Sequence, residues 1–323
     1  MSRRRVLDIV AAGLVAPRQG RAQAGKVWHV GVLDTIPAAQ NGANLGQLRQ
    51  ALSELGYVEG RNLVLVYRSA DGQGERFEAL AAELVAAKVD LIVTRGTPAA
   101  VAAKKASTHI PVVMASIGEP LLVVASLSRP GGHVTGLSSI SSDLEAKRVQ
   151  LLRELLPKLT HLGALYNMGN PVFAARWREI ESASRAVGVQ PVLLDVRKPD
   201  ALEQAFVSAR QQRVGALVVG QDGLMQANAK RIAALAAQYK LPAIYGSVDF
   251  IDAGGLMAYG PHYPDLYRRA ASYVDKILKG AKPGDLPIEQ PTRFEMTINL
   301  KPARGLGLVI PTALRLRADN VLE

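Results

Sequence analysis

Cysteine is absent from the 323 residues of the chain, which excludes disulfide frameworks, thiolate metal sites and cysteine nucleophiles. Aromatic residues are scarce, at 5% of the sequence. No apolar run reaches the roughly 18 residues that a membrane-spanning helix needs. The chain is 48% hydrophobic and 21% charged, which is the balance of an ordinary globular protein. At this length we expect two compact units on one chain.

A clustered basic surface is also lacking. The formal net charge is +11, of which residues 1–24 contribute +4, so the rest of the chain carries +7. Nucleic-acid binding usually requires lysines and arginines gathered into a stripe. Two of the basic pairs, Lys104-Lys105 and Arg268-Arg269, fall on helical patterns whose apolar positions lie on the opposite face. We therefore predict no nucleic-acid partner.

Motifs of catalysis and of metal or cofactor binding are missing too. The sequence has no Gly-x-Ser-x-Gly elbow and no Walker loop. Gly305–Gly307 is only a fragment of a dinucleotide fingerprint, far from the first strand. The histidines are scattered without metal-ligand spacing: His29, His109, His133, His161 and His262. A serine triad assembled by the fold stays open, but we predict no enzyme, no catalytic residue, no cofactor and no metal.

The first 24 residues have the pattern of an export signal. Basic residues at Arg3–Arg5 precede an apolar stretch from Ile9 to Pro17, and Ala22-Gln23-Ala24 offers a small-residue cleavage site. The paired arginines behind Ser2 resemble a twin-arginine signal. We therefore expect an exported, periplasmic protein, with the twin-arginine pathway as the candidate export route. The alternative is a disordered basic tail on a cytoplasmic protein.

Short β-branched runs alternate with amphipathic helical stretches from Val27 to about Tyr259, as in parallel sheets covered by helices. Gly131-Gly132 separates two such series of similar length. A later alternating segment, from Phe294 to Leu300, predicts a strand that returns to an existing sheet. Open α/β sheets bind ligands beyond the carboxyl ends of their strands. Two sheets whose carboxyl edges face each other would form a cleft that can close over a solute.

Six motifs follow one another along the chain. They are Leu55–Gly60 (LGYVEG), Gly96–Ala100 (GTPAA), Arg129–Gly136 (RPGGHVTG), Ala253–Gly260 (AGGLMAYG), Ile277–Pro283 (ILKGAKP) and Asn299–Leu308 (NLKPARGLGL). Ala318-Asp319 agrees as well, so the set covers nearly all of the chain after the export signal. In this order the motifs resemble ABC-transporter substrate-binding proteins of the tryptophan/tyrosine-type family. The ordered set is far more specific than any one motif.

The resemblance implies a periplasmic-binding-protein type 1 fold of the α/β class. Two flavodoxin-like, doubly wound parallel-sheet lobes would be joined by a three-crossover hinge. The expected division of the chain is an export signal at 1–24, a first lobe at 25–137 plus 254–287, and a second lobe at 138–253 plus 288–323.

The resemblance also implies a function. The chain would be the exported solute-binding component of an ABC importer, closing its lobes on an amino acid or related carboxylate, with aromatic amino acids as the leading guess. Its partners would be that solute and a membrane permease, and it would act as a monomer. The main alternative is a ligand-sensing regulator of the same fold. Residues 1–26 are too short for the DNA-binding headpiece that it would need.

Candidate ligand contacts on the first lobe follow its strands. The turn formed by Gly96, Thr97, Pro98 and Ala99 opens a helix, where free backbone N–H groups and the helix dipole favour a carboxylate. An ordinary helix start capped by Thr97, with Pro98 at the first position, uses the same residues. Asp34-Thr35 occupies the equivalent place after the first strand and would lie beside this turn. A plain polar loop is the alternative there.

Further candidates come from strand ends and crossovers. Glu119, after the fourth strand, stands where the family usually has aspartate and would meet an ammonium group, unless it is solvated. On the second lobe Asp222 is the preferred ammonium partner, and Asn167 would also face the cleft, with a surface turn as the alternative for both. Tyr245 and Tyr259 lie near the crossovers and would cover an apolar ligand group or pack between the lobes.

Overall fold

The computed structural model describes residues 26–139 and 144–323, so the predicted export signal lies outside the described residues. A five-stranded parallel sheet, ordered β2-β1-β3-β4-β5, forms the first lobe. Its elements are β1 (Trp28–Asp34), α1 (Gly42–Glu54), β2 (Leu63–Ser69), α2 (Phe77–Ala86), β3 (Leu91–Arg95), α3 (Thr97–Ala106), β4 (Val112–Ile117) and β5 (Val134–Ser138). Every residue of β3 and β4 is buried, because helices cover both faces of a parallel sheet.

The second lobe contains a seven-stranded sheet ordered β12-β11-β10-β9-β8-β6-β7. Its first elements are α4 (Leu144–Leu155), β6 (His161–Tyr166), α5 (Val172–Ala186), β7 (Gln190–Asp195), α6 (Leu202–Gln211), β8 (Ala216–Val219), α7 (Gly223–Ala227), α8 (Ala229–Gln238), β9 (Ala243–Tyr245), α9 (Asp249–Asp252) and β10 (Met257–Pro261). The chain ends with α10 (Tyr263–Leu278), β11 (Phe294–Asn299), α11 (Leu300–Gly305), α12 (Thr312–Arg317) and β12 (Asn320–Leu322). Short 3-10 turns stand at Gly74–Arg76, Pro120–Leu122, Pro199–Ala201 and Pro283–Asp285.

The late strand predicted from its alternation is present as β11. It pairs antiparallel with β10, with Met257 opposite Ile298, while the other strand pairs of this sheet are parallel. Its buried residues Met296 and Ile298 join the apolar core on one face of the sheet. The sequence therefore predicted both the strand and its return to an existing sheet.

Helix α10 ties the end of the second series back to the first lobe. Its apolar stripe, which includes Leu266, Ala270 and Val274, is buried in one core cluster with Leu48 and Leu52 of α1. The chain crosses between lobes after β5, between β10 and α10, and between α10 and β11. Three crossovers and two α/β lobes confirm the predicted fold class.

One predicted lobe boundary was wrong. Residues 254–287 were assigned to the first lobe, but β10 belongs to the second sheet, where Met257 and Ala258 pair with Ile244 and Tyr245 of β9. The part of this segment after the crossover, which is α10 and the residues up to Leu286, does pack on the first lobe. A short buried strand has the same apolar pattern in either sheet, so the sequence did not indicate which sheet it joins.

Candidate functional site

A cavity of about 430 Å³ lies between the two lobes. The first lobe lines it with residues that follow β1, β3 and β4, and the second lobe with residues that follow β6 and β8. Ser139 and Tyr263 add walls at two of the crossovers. The cavity therefore occupies the place expected for ligands of open α/β sheets, where loops and helix starts converge.

The lobes contact each other around this cavity. Thr35 Oγ1 donates a hydrogen bond to Gln226 Oε1 across the cleft, at 3.4 Å. Arg95 Nη2 lies 3.4 Å from Asp249 Oδ2 of α9. Gly118 approaches Val172 so closely that an added Cβ would lie 3.3 Å from the valine Cγ1. The described conformation is therefore one in which the lobes meet.

Helix α3 points its N-terminus at the cavity. Gly96 is its N-cap, with a φ of +83° that favours glycine, and Gly96, Thr97 and Pro98 all line the cavity. Among the described residues, no partner accepts from the backbone N–H of Thr97 or of Ala99. These groups and the positive end of the helix dipole form a site that favours an anion.

The predicted side-chain cap of α3 was wrong. Thr97 is already the first helical residue and Pro98 the second, and the N-cap makes no side-chain hydrogen bond. Thr97 Oγ1 instead accepts from the backbone N–H of Glu119, at 3.1 Å. Because Gly96 supplies the non-helical turn, the threonine hydroxyl is left to fasten the loop after β4.

Two other predicted contacts on this lobe are placed outside the cavity wall. Ala99 is fully buried beneath it, and half-buried Glu119 contributes its backbone N–H to Thr97 rather than a carboxylate to the cavity. This geometry supports neither side chain as a ligand contact, and at Ala99 only the backbone N–H at the start of α3 is left for that role.

Asp34 is a buried structural carboxylate. Its oxygens accept from the Asn41 amide at 2.7 Å, from the Tyr267 hydroxyl at 3.1 Å and from the backbone N–H groups of Thr35 and Ile36. Burial raises the pKa of Asp34, although Arg95 and the hydrogen-bond donors act in the opposite direction. The side chain joins β1 to α1 and α10, while its neighbour Thr35 reaches the cavity.

On the second lobe, Asp222 and Asn167 come together at the cavity wall. Asn167 Nδ2 donates to Asp222 Oδ2 at 2.8 Å, and Asp222 Oδ1 accepts from the N–H of Met225 at 2.9 Å as the N-cap of α7. Burial raises the pKa of Asp222, against the effect of these donors. Asp222 therefore both caps a helix and presents a carboxylate at the cavity.

The two predicted tyrosines do not reach the cavity. Tyr245 is buried and stacks on Phe250, with ring centroids 4.7 Å apart, and Tyr259 stacks on Phe294 at 6.5 Å. Both lie on strands whose side chains face the lobe's own packing. Tyr259 contributes only its backbone oxygen nearby, which accepts from Arg148 Nε at 2.9 Å.

Sequence reasoning missed the charged residues of the wall, beginning with Arg95. This residue lines the cavity, its side chain is 3% exposed, and Nη1 donates to Asn41 Oδ1 at 2.8 Å. Burial disfavours its charge, but Tyr267, Asp34 and Asp249 outweigh burial and raise its pKa. A charged residue at the end of a buried strand, just before Gly96, was the signal that could have found it.

Helices α4 and α5 supply two more arginines that line the cavity. Arg148 Nη1 donates to Glu145 Oε1 at 2.7 Å, and both side chains are nearly buried. Arg176 Nη1 donates to Glu179 Oε2 at 3.2 Å. The spacing of three between Glu145 and Arg148, inside the buried face of an amphipathic helix, could have indicated this buried pair.

Comparison with known proteins places the chain in a family. Residues 29–322 match the family model described as ABC transporter substrate binding protein. The chain belongs to this family. The resemblance found in its six motifs is therefore confirmed.

Individual relatives of this substrate-binding protein agree with the family. A curated tyrosine-binding protein of Clostridioides difficile (strain R20291) is 26% identical over 275 residues, which span 84% of this chain and 77% of that protein. The structure of an ABC domain in complex with L-Trp from Streptococcus pneumonia is 25% identical, with a TM-score of 0.84 over 92% of this chain and 100% of that one. A conserved domain protein of Vibrio cholerae is 26% identical, with a TM-score of 0.86 over the same shares.

The chemistry of the site suits binding by this substrate-binding protein. Within residues 26–139 and 144–323, no group of three or more His, Asp, Glu or Cys side chains is placed to hold a metal ion. No helix in the described part of the chain is long and apolar enough to cross a membrane. An N–H-bearing helix start on one wall and a carboxylate on the other can hold opposite charges of one small molecule.

Proposed function

We propose that the chain is the exported solute-binding component of an ABC importer, and that it captures a small amino-acid-like solute by closing its lobes. The observation that carries the proposal is the cavity itself, which is walled by the start of α3 on one lobe and by Asp222 on the other. Family membership supports the transport role. Relatives that are named for tyrosine binding or hold L-Trp support an amino-acid ligand.

The solute's carboxylate would bind at the start of α3. The N–H groups of Thr97 and Ala99 are free of partners among the described residues, and the helix dipole adds attraction for an anion. Gly96 keeps this approach open, because it carries no side chain there. This contact requires only a carboxylate, so it is common to all amino acids.

The solute's ammonium group would meet Asp222 across the cleft. Each carboxylate oxygen can accept more than one hydrogen bond, so the bonds from Met225 and Asn167 leave room for an ammonium donor. A ligand that bridges both walls favours the closed arrangement by its differential contacts. Micromolar binding corresponds to about 8 kcal/mol, which a few charge-assisted hydrogen bonds and buried apolar contacts can supply after the cost of ordering.

After export to the periplasm, the protein would act as a monomer. Its closed form would dock on a membrane permease. Export predicts a mature N-terminus near Gln23 or Gly25, which N-terminal sequencing of protein from the producing cell would reveal. Retention of residues 1–24 on the functional protein would contradict export.

Mass spectrometry of co-purifying solutes, followed by a thermal-shift panel of amino and aromatic acids, tests the proposal. At a ligand concentration of 100 times Kd, binding stabilises the native state by about 2.7 kcal/mol, which corresponds to a rise in Tm of about 5 °C. We expect such a shift with at least one amino acid or related carboxylate. Protein that always purifies empty and responds to none of the panel would contradict the proposal.

A further inference from the structure

Three arginines line the cavity, from different elements. Arg95 follows β3, Arg148 lies on α4 and Arg176 lies on α5. The side-chain exposures are 3%, 5% and 10% in that order. Buried cations are costly unless they are paired or hydrogen-bonded, so the partners of each one indicate what the cavity is built to receive.

Two of the three arginines each use two of their nitrogen atoms in bonds within the protein. Arg95 donates to Asn41 and pairs with Asp249, and Arg148 donates to the Tyr259 carbonyl and to Glu145. These bonds fix the two guanidinium groups in the wall. Neither requires a ligand for its charge to be compensated.

Arg176 is different. Of its five N–H donors, the structure gives a partner only to Nη1, which donates to Glu179 at 3.2 Å; Nε and Nη2 have none among the described residues. Glu179 is 42% exposed, so solvent screens its attraction for the arginine. Arg176 therefore presents unused donors and an incompletely compensated charge to the cavity.

Arg148 and Arg176 lie on two helices that pack against each other, α4 and α5, and both act on the buried Tyr166. Burial, followed by Glu145, raises the pKa of this tyrosine, and Arg148 and Arg176 both act to lower it. Within the described residues, the carboxylates that pair with these arginines are Glu145 on α4, with Arg148, and Glu179 on α5, with Arg176. The Arg148–Glu145 pair is nearly buried, whereas Glu179 is partly exposed, so Arg176 has the less completely compensated charge of the two arginines.

We propose that the solute is an amino acid whose side chain ends in a second carboxylate, which Arg176 binds with Arg148 beside it. This inference rests on the proposed function, since the α-carboxylate and ammonium would occupy the start of α3 and Asp222. A planar guanidinium matches a carboxylate with two parallel hydrogen bonds. A neutral side chain would leave the Arg176 donors desolvated and unpaired, which selects against such ligands.

Calorimetric titration of the unmodified protein, with isosteric pairs of ligands, tests this selectivity. The pairs are L-glutamate with L-glutamine and L-aspartate with L-asparagine; L-2-aminoadipate, L-tyrosine and L-tryptophan are titrated alongside. We expect one of the acids to bind about 10- to 100-fold more tightly than its amide or than either aromatic amino acid, the range of a charge-assisted hydrogen bond. Raising the salt concentration should weaken the binding of that acid more than the binding of its amide.

Two adverse outcomes are distinguishable. If the amides, tyrosine or tryptophan bind as tightly as the acids, the inference is overturned and the proposed function stands. If no amino acid in the set binds, and other carboxylates give no thermal shift, the proposed function fails and the inference fails with it.

Variants of one helix assign the selectivity to a residue. Arg176→Gln should weaken binding of the acid at least about tenfold and leave the affinity for the amide nearly unchanged. Arg178→Gln, on the exposed face of the same helix, is the matched control and should change neither. Arg176→Lys keeps the charge and should retain part of the preference, which also covers the case in which Arg176→Gln fails to fold. Equal losses for acid and amide would show a structural role and overturn the assignment.

Discussion

The two walls of the cleft are built in different ways. The first lobe offers a ligand the backbone at the start of α3, through Gly96, Thr97 and Pro98, while its arginine at the wall, Arg95, is engaged by Asn41 and Asp249. The second lobe offers side chains, with Asp222, Arg148 and Arg176 at the wall. A backbone site recognises a group that all amino acids share, whereas charged side chains distinguish one amino acid from another. The first wall should therefore set general affinity and the second should set specificity.

Among substitutions in the two walls, the largest change in affinity is expected at Asp222. Asp222→Ala should weaken binding about 10- to 100-fold by removing a charged hydrogen bond. It should also lower the free energy of unfolding by about 1 kcal/mol, because α7 loses its N-cap. Calorimetry and denaturant unfolding measure the two effects.

Asp222→Asn separates these two roles. The asparagine oxygen can still accept from the N–H of Met225, so the cap of α7 is kept, but its NH2 group cannot accept from Asn167. Stability should fall less than in Asp222→Ala, which loses both bonds, while affinity falls as much. If both variants bind as tightly as the unmodified protein, Asp222 is only a helix cap.

The pH dependence of binding should follow the same carboxyl. Burial raises the pKa of Asp222 above its ordinary value of 3.8, so the charged form that holds an ammonium is lost as the pH falls through this raised pKa. Folding responds with the opposite sign, because the group's contribution to stability is complete below 3.8 and is lost as the pH rises through the raised pKa. Affinity should drop by up to about tenfold between pH 7 and pH 4, measured by calorimetry. A flat profile for Asp222→Asn is the control, and an equally flat profile for the unmodified protein would contradict the assignment.

A moderate effect is expected where the walls meet. Asp249→Ala removes the partner of Arg95 across the cleft, which should favour the open form and weaken binding about fivefold, the cost of a partly exposed ion pair. Small-angle scattering of the ligand-free protein should show a larger radius of gyration. Asp252→Ala, exposed on the same short helix, should leave both quantities unchanged. An unaltered radius for Asp249→Ala would show that this contact does not hold the lobes together.

A smaller effect is expected on the backbone wall. Thr97→Val removes the acceptor for the Glu119 N–H and should lower the free energy of unfolding by about 1 kcal/mol, with about a threefold loss of affinity as the loop shifts. Thr97→Ser keeps the hydroxyl and should behave like the unmodified protein. Thermal unfolding measures the stability of both variants, and calorimetry measures their affinity. Equal stability and equal affinity of Thr97→Val and Thr97→Ser would show that this hydrogen bond does not support the site.

The smallest effect is expected at Tyr259, a predicted ligand contact that the structure places outside the cavity. Its ring stacks on Phe294, and Tyr259→Phe preserves that ring. Affinity and stability should change by less than about 0.5 kcal/mol, as measured by titration and melting. A clear loss of affinity would show that Tyr259 contacts the ligand.

The sequence predicted the fold because its signals are local. Alternating strand and helix patterns, and glycines such as Gly56 at the end of α1, where φ is +93°, depend on neighbouring residues. The start of α3 was found for the same reason, since Gly96 and Pro98 mark a turn into a helix.

The missed parts depend on contacts distant in sequence. Arg148 and Arg176 are wall residues only because α4 and α5 pack side by side, and their helical patterns alone do not distinguish a cleft from solvent. Strand β10 was assigned to the wrong lobe because its pairing with β9 and β11 is not encoded in its own five residues. Asp34 was predicted as a ligand contact because its sequence neighbours do not reveal that Asn41 and Tyr267 donate hydrogen bonds to its carboxylate.

Small-angle scattering during a titration tests the central claim most directly. Protein stripped of bound solute by unfolding and refolding should lose radius of gyration as the solute that binds most tightly is added, with saturation at one molecule per chain. A particle that keeps one shape throughout, and takes up no solute from the amino-acid and aromatic-acid panel, would contradict the account of a cleft that closes on its ligand.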